Sequence, residues 1–198
     1  MKKFTKHILA LAIVFATLSS NATENTFLSN EEDGKTILML DNVSQGDQLM
    51  VKDAFGLILY KEAILENGKY NKSFDLTTLP DGNYIFELDK QNQIRVYPFK
   101  VDATVVTFNK AQLTVVNKPK VTSKDNTIYI TAQNLEAADY TIEIFYDSAK
   151  TASEKIYSET FENTTTVGKR FKLLKDKDET YEVVVTANGR SFTSTFNF

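Results

Sequence analysis

Apolar and polar residues alternate in short runs along most of the chain, and no long run repeats its apolar residues with the 3.6-residue period of a helix. Because successive side chains of a strand point to opposite faces, each run predicts a β-strand with one buried and one exposed side. One such face carries Leu49 and Val51, another Tyr84, Phe86 and Leu88, and others Tyr97, Phe99 and Val101, then Tyr140, Ile142, Ile144 and Tyr146, then Phe192, Ser194, Phe196 and Phe198. Strands at this spacing predict an all-β protein built as a β-sandwich.

Turn residues separate these runs. Asp53–Gly56 has Asp at its first position and Gly at its fourth, which suits a type I turn closed by a residue with positive φ. Pro80–Asn83 predicts a second turn, because proline fixes φ at its own position. Asn188 and Gly189 form the strongest two-residue hairpin signal of the chain.

The two halves of the chain resemble each other at an offset of 97 positions. Eight of the 45 aligned pairs from Leu57 to Val101 are identical, namely Tyr60 and Tyr157, Glu62 and Glu159, Lys72 and Lys169, Phe74 and Phe171, Leu76 and Leu173, Asp81 and Asp178, Tyr84 and Tyr181, and Phe99 and Phe196. The second half carries a longer hairpin loop at Ser148–Ser153. The pattern predicts two tandem Ig-like β-sandwich domains over 35–102 and 103–198, divided near Asp102 or within Thr104–Lys118, with a single larger sandwich as the alternative.

The first 22 residues predict a secretory signal peptide. A basic start precedes an eleven-residue apolar run, Ile8–Leu18, and small residues then place the cleavage between Ala22 and Thr23. A membrane anchor is the alternative, but a spanning helix needs about 20 apolar residues. We therefore expect signal peptidase and the Sec export machinery as partners, and a chain that does not span a membrane after cleavage. Residues 23–34 are polar and predict a flexible leader.

Cleavage changes the composition that matters for chemistry. Removing 22 of the 198 residues takes away three of 23 basic residues and the single histidine, which leaves 176 residues with a net charge of −6 and no His, Cys or Trp. This excludes disulfides, catalytic triads with histidine and thiolate or imidazole metal sites, and it argues against a basic nucleic-acid surface. We expect no cofactor and no nucleic-acid partner.

Three segments resemble the C-terminal sorting domains of proteins exported by the type IX secretion system of Bacteroidetes, and related Ig-like domains of their secreted proteins. The segments are VKDAFGLILY (Val51–Tyr60), LPDGNYIFEL (Leu79–Leu88) and IRVYPFKV (Ile94–Val101). The resemblance rests on Asp53, Gly56, Leu79, Gly82 and Tyr84, and it implies an Ig-like sandwich in a secreted or surface protein. Sorting domains end the chain, whereas here 97 residues follow Val101.

Candidate sites are few. Acidic groups at Glu31–Asp33, at Asp176–Glu179 and at Asp81 with Asn83 have the oxygen chemistry of calcium ligands but not the EF-hand spacing. Tyr60, Tyr84, Tyr157 and Tyr181 recur in phase with core positions, so the candidates for an exposed, sugar-stacking tyrosine are Tyr70, Tyr129 and Tyr146. Ser148 stands in an Asp-Ser-Ala triplet that resembles a Bacteroidetes O-glycosylation acceptor. Lys118, Lys120 and Lys124 form a short basic stretch that predicts a solvated linker or strand edge.

These features together predict a secreted, periplasmic or cell-surface protein without enzymatic activity, which binds a protein or glycan partner or has an adhesive or structural role. The alternative is a module that binds or hydrolyses glycans with carboxylates. A hydrolase requires a concave pocket with two converging carboxyls, one of them with a raised pKa.

Overall fold

The alternating segments form the strands of a computed structural model that describes residues 26–30, 35–108, 112–148, 151–173 and 179–197. Over these ranges the chain forms β-strands and no α-helix, which confirms the all-β prediction. The strands are β1 (Thr26–Asn30), β2 (Thr36–Val43), β3 (Gln48–Asp53), β4 (Ile58–Ala63), β5 (Gly68–Phe74), β6 (Gly82–Asp89), β7 (Gln93–Asp102), β8 (Val105–Phe108), β9 (Thr114–Asn117), β10 (Lys120–Lys124), β11 (Thr127–Ser148), β12 (Thr151–Lys172), β13 (Glu179–Ala187) and β14 (Arg190–Asn197).

The first unit, β1 to β9, is a sandwich of two antiparallel sheets. One sheet has the order β1-β2-β5, and the other has the order β4-β3-β6-β7-β8, with β9 also paired to β7. The rings of Phe74 in β5 and Phe86 in β6 lie 5.2 Å apart and join the two sheets. The core between them contains Leu38, Leu40, Val43, Leu49, Val51, Ile64, Leu76, Tyr84, Phe86, Leu88, Tyr97, Phe99, Val101 and Val106. This division of strands into two layers is Ig-like.

The second unit, β10 to β14, repeats this arrangement with two strands that run through both layers. Residues 127–133 of β11 pair with β10 and with residues 166–172 of β12, whereas residues 138–148 pair with β13 and the first half of β12. Register shifts between Gln133 and Ala138 mark the place where β11 changes layer. Its core contains Ile128, Ile130, Ala132, Tyr140, Ile142, Ile144, Val167, Leu173, Tyr181, Val183, Val185 and Ala187.

The two units therefore share one strand plan. β10 corresponds to β1, β11 to β2 and β3, β12 to β4 and β5, and β13 and β14 to β6 and β7. In the first unit a turn separates β2 from β3, and in this turn the Asp47 carboxylate accepts a hydrogen bond from the Ser44 amide at 2.9 Å. In the second unit the strand continues through the bend. The prediction of tandem β-sandwiches is confirmed.

Two of the three predicted turns form as expected. The Gly56 amide donates to the Asp53 carbonyl at 3.1 Å, and Gly56 has a φ of +85°. Asn188 and Gly189 both have positive φ, 52° and 70°, and join paired strands β13 and β14. The turn predicted at Pro80–Asn83 is wrong. The hydrogen-bonded turn lies at Leu76–Leu79. β6 already begins at Gly82, because Gly82 and Asn83 pair with Val101 and Lys100 of β7.

Three predicted segment boundaries also need correction. The leader is not entirely irregular, since Thr26–Asn30 pairs with Thr36–Leu40 of β2 and satisfies the backbone groups of that edge. Of the two predicted places for the division, Asp102 is too early, because β8 and β9 both pair with β7 and Val106 is buried in the first core; the first unit ends with β9, inside the Thr104–Lys118 stretch. The predicted long hairpin loop is shorter, because Ser148 pairs with Thr151.

Candidate functional site

A cluster of four side chains stands at the rim of the first sandwich, where β4 and β5 of opposite sheets meet. The Tyr60 hydroxyl donates to the Glu62 carboxylate, and Lys72 Nζ lies 2.6 Å from Glu62 Oε2. The Tyr60 and Phe74 rings pack edge to face with centroids 5.3 Å apart. The Tyr70 hydroxyl also donates to Glu62.

The second sandwich contains the same cluster at the positions 97 residues later. The Tyr157 hydroxyl donates to Glu159, and Lys169 Nζ lies 2.8 Å from Glu159 Oε2. The Tyr157 and Phe171 rings pack edge to face at 4.6 Å. Four of the eight identical pairs in the sequence thus form one repeated Tyr-Glu-Lys-Phe cluster, which fastens the two layers of each sandwich together.

The electrostatics of these carboxylates favour a structural role over acid catalysis. Burial acts to raise the pKa of Glu62, but hydrogen bonds from Lys72, Tyr60 and Tyr70 outweigh it and hold the pKa below its ordinary value. Hydrogen bonds from Lys169 and Tyr157 likewise lower the pKa of Glu159. A general acid of a glycoside hydrolase needs the opposite shift.

Glu87 is the most deeply buried carboxylate on a strand face that the alternation predicts to be exposed. Its side chain is 3% exposed and accepts hydrogen bonds from Lys52 Nζ at 2.6 Å and Arg190 Nη2 at 2.7 Å. Burial acts to raise its pKa, and the bonds from Arg190 and Lys52 outweigh that effect and lower it. Because Arg190 belongs to β14, this ion pair connects the two units.

Two carboxylates also line a concavity of about 680 Å³ between residues 44–48 and 89–92. Asp47 lies 3.5 Å from Lys90 Nζ, and Asp89 pairs with Lys118 Nζ. Both carboxylates are therefore paired with lysines. Of the predicted basic stretch, Lys118 pairs with Asp89, whereas Lys120 and Lys124 lie in β10, a strand at the edge of its sheet, which was one of the two predicted settings.

The residues of the sorting-domain resemblance serve the backbone and core of the first unit. Asp53 Oδ1 accepts hydrogen bonds from the amides of Phe55 and Leu57, both at 2.9 Å, and so shapes the β3–β4 turn. Leu79 packs against the core, and Gly82 opens β6. The Tyr84 hydroxyl donates to the Pro80 carbonyl at 2.7 Å, the tyrosine corner of Ig-like sandwiches.

An apolar surface lies at the tip of the hairpin that joins β3 to β4. Phe55 is 95% exposed and Leu57 63% exposed, and the next two side chains, Ile58 and Leu59, are also exposed. We call these four residues the apolar hairpin. Gly56 separates Phe55 from Leu57 at the turn, and Ile58 and Leu59, as neighbours in β4, lie on opposite faces of the sheet.

The apolar hairpin leads directly into the sheet edge formed by β4, whose first residues are apolar and whose charged residues, Lys61 and Glu62, come later in the strand. Among the described strands, β4 pairs only with β3. At the other end of the sheet, β7 is covered by β8 and β9. Exposed edges are commonly protected by charged side chains. The second unit has that protection, because Glu154 and Lys155 of β12 occupy the positions of Leu57 and Ile58. Sequence reasoning missed this contrast, although the offset of 97 already places it in the alignment.

The remaining candidates have different environments. Tyr129 is 42% exposed on the outer face of β11, as predicted, but Tyr70 and Tyr146 are partly buried against the two cores. The Asp81 carboxylate accepts a hydrogen bond from the Ala103 amide at 2.9 Å. Ser148 ends β11. Ala22, Thr23, Glu31–Asp33 and 176–178 lie outside the described residues.

Two features are absent from the ranges that the structure describes. No three His, Cys, Asp or Glu side chains there come close enough together to hold a metal ion. The same ranges contain no helix that is long and apolar enough to cross a membrane.

Neither a protein-family model nor a curated protein matches the chain. Among solved structures, the chain is similar to a biofilm-associated protein BSP domain (11% identity, TM-score 0.24), the human OSCAR ligand-binding domain (7%, 0.25) and the structure entitled "Structural basis of neurohormone perception by the receptor tyrosine kinase Torso" (9%, 0.22). Each match covers 87% of this chain. It covers 29% of the chain with the BSP domain, 97% of the OSCAR chain and 72% of the chain in the Torso structure. Likeness at these TM-scores carries no functional argument, and the fold assignment rests on the strand order described above.

Proposed function

We propose that this protein is a non-enzymatic binding protein that acts outside the cytoplasm and captures an extended segment of another protein along β4. The observation that carries the proposal is the apolar hairpin at the start of an unpaired sheet edge. An added strand would satisfy the free backbone N–H and C=O groups of β4, and its apolar side chains would pack beside Ile58 on one face of the sheet and beside Leu59 on the other. This is recognition by β-strand addition.

The comparison between the units supports an extended peptide as the occupant. Both units present the same edge and both have an exposed apolar side chain at the third position, Leu59 or Ile156, but the first unit begins this edge with Leu57 and Ile58 where the second has Glu154 and Lys155. Since both sandwiches fold with the same strand plan, the apolar Leu57 and Ile58 at this edge are not required by the packing of a sandwich. The lowered pKa values of Glu62, Glu87 and Glu159 support binding rather than glycan hydrolysis.

The test uses twelve-residue peptides displayed on phage and selected on the immobilised full chain. Affinities of the enriched synthetic peptides are then measured by calorimetry against the full chain and against Leu57→Glu/Ile58→Lys. We expect the double variant to weaken binding at least tenfold. A matched control, Leu135→Glu/Ile156→Lys, makes the same chemical change at two other exposed apolar residues and should leave the affinity unchanged.

Methylation of alternate peptide nitrogens separates strand addition from simple apolar contact. Methylated peptides lose the donors that pair with an edge strand, so their binding should be abolished. Unchanged affinity of methylated peptides, equal loss in the control variant, or binding of the apolar hairpin to phosphatidylcholine vesicles in place of peptides would each overturn the proposal.

Export is part of the proposal and rests on the order of basic, apolar and small residues over 1–22. The sorting-domain resemblance makes type IX secretion the proposed route across the outer membrane. Sequencing the N-terminus of the mature chain tests the first statement, with Thr23 expected. Release into the medium before and after trimming of the C-terminus tests the second.

A further inference from the structure

Nine residues, eight with side chains and one glycine, form a regular grid on the outer face of the second unit, across β10, β11 and the last part of β12. The strand registers align them in three rows, with Lys124, Thr127 and Lys172 at the tip, Thr122, Tyr129 and Arg170 in the middle, and Lys120, Thr131 and Gly168 at the base. All nine are exposed except Thr127, which is half-buried. We call this grid the cationic face.

The charge of this face is opposite to that of the chain. The grid holds four cationic side chains and no carboxylate, although the chain as a whole is net negative. None of Lys120, Lys124, Arg170 and Lys172 forms an ion pair within the part of the chain that the structure describes. The cations lie on β10 and β12 on either side of β11, so an anionic ligand placed over β11 would meet positive charge from both neighbouring strands.

The centre of the grid offers a flat platform. Tyr129 is 42% exposed, and Arg170 lies directly across the ladder from it. Gly168, in the next row, has nothing within 4 Å of the place where a Cβ would stand, so the surface beside the ring is open. An amphipathic tyrosine ring presents an apolar face for stacking and a hydroxyl for hydrogen bonding.

We propose that the cationic face binds an acidic polysaccharide. A sugar ring would stack on Tyr129, its carboxylate or sulfate groups would pair with Arg170 and the lysines, and the threonine hydroxyls would bond to its hydroxyls. Successive side chains on one face of a strand are about 7 Å apart, so the grid spans several sugar units. A single aromatic platform in a net negative chain favours a polysaccharide over a nucleic acid, whose bases would require a series of stacking rings.

The first unit does not repeat this face, which makes the site specific to the second unit. At the equivalent register, Ile37 pairs with Ser73 and Met39 with Asn71, where the second unit has Tyr129 with Arg170 and Thr131 with Gly168. The two binding surfaces are thus on different units and can be tested separately.

The test measures binding of the full chain to polygalacturonate, dextran sulfate, neutral dextran and single-stranded DNA, each at several salt concentrations. We expect binding to the carboxylated or the sulfated polymer and not to neutral dextran, with the two acidic polymers telling which anion is preferred. Tyr129→Ala and Lys124→Glu/Lys172→Glu should each weaken that binding at least tenfold. The matched variant Lys61→Glu/Lys155→Glu changes the net charge equally and should change binding less than twofold.

Circular dichroism of each variant shows whether the fold persists, and Tyr129→Phe, which keeps the ring, should bind like the unaltered chain. Three results would overturn the proposal: equal loss in Lys61→Glu/Lys155→Glu, binding that is insensitive to Tyr129→Ala, or tighter binding of single-stranded DNA than of either acidic polysaccharide. Loss of peptide binding through β4 would not affect these readings, because the two surfaces share no residue.

Discussion

Glu87 of β6 accepts a hydrogen bond from Arg190 of β14 at 2.7 Å, although 103 positions separate the two residues in sequence. Lys52 holds the other carboxylate oxygen at 2.6 Å. Glu87 belongs to the first sandwich and Arg190 to the second. The hydrogen bond therefore joins two units whose hydrophobic cores are separate. Because the Glu87 side chain is 3% exposed, removing this carboxylate leaves its cationic partners without a counter-charge in a partly buried place.

Replacing Glu87 with Gln should destabilise the protein by about 1–3 kcal/mol at neutral pH, because it leaves Lys52 and Arg190 without their counter-charge. Urea unfolding measures the change. The exposed pair Lys100 and Asp102 provides the control, and Asp102→Asn should shift the free energy of unfolding by less than about 0.5 kcal/mol. Equal effects of the two substitutions would contradict the assigned role of Glu87.

Stability should fall as the pH is lowered from about 6 to 3. The pKa of Glu87 and of Glu62 is lower in the folded protein than the ordinary value of 4.5, so both bind protons more readily when unfolded. Their contribution is complete above the unfolded pKa and is lost as the pH falls through the folded pKa. Urea unfolding at several pH values should show a shallower acid dependence for Glu87→Gln; an unchanged slope would be inconsistent with this assignment.

The tyrosine corner should contribute measurably to the first sandwich. Tyr84→Phe removes the hydroxyl that donates to the Pro80 carbonyl and should lower the free energy of unfolding by about 1–2 kcal/mol. Tyr129→Phe removes an exposed hydroxyl and serves as the control. Chemical denaturation of both variants makes the comparison, which fails if Tyr129→Phe has the larger effect.

The repeat also allows a gain of function. Glu154→Leu/Lys155→Ile gives the edge of the second unit the side chains found at Leu57 and Ile58. We expect calorimetry with a peptide selected on the unaltered chain to show two sites per chain instead of one. A stoichiometry that stays at one, in a folded variant, would mean that the edge chemistry alone does not define the site.

The strand faces could be predicted from sequence wherever burial follows the period of two. Leu49, Val51, Phe86 and Leu88 are all buried by 97% or more, as their alternation predicts, because each faces the sheet of the opposite layer. Tight turns were also predictable, since Gly56 and Asn188 mark positions with positive φ. These features depend on residues close together in the chain.

Features that depend on distant pairing could not be predicted in this way. Glu87 lies on the polar face of its strand and is nevertheless buried, because side chains of β3 and β14 cover it. β1 has no alternation of its own and is fixed by the edge of β2. The cationic face needed the register of three strands, since Lys124 and Lys172 become neighbours only across Thr127.

The most direct test of the central claim is amide hydrogen exchange of the full chain with and without a selected peptide. If the peptide adds as a strand to the first sandwich, the amides of β4 should exchange at least tenfold more slowly in the complex, while residues 151–158 of β12 should be unchanged. Equal protection of both edges, or protection confined to β7 or β14, would contradict the account.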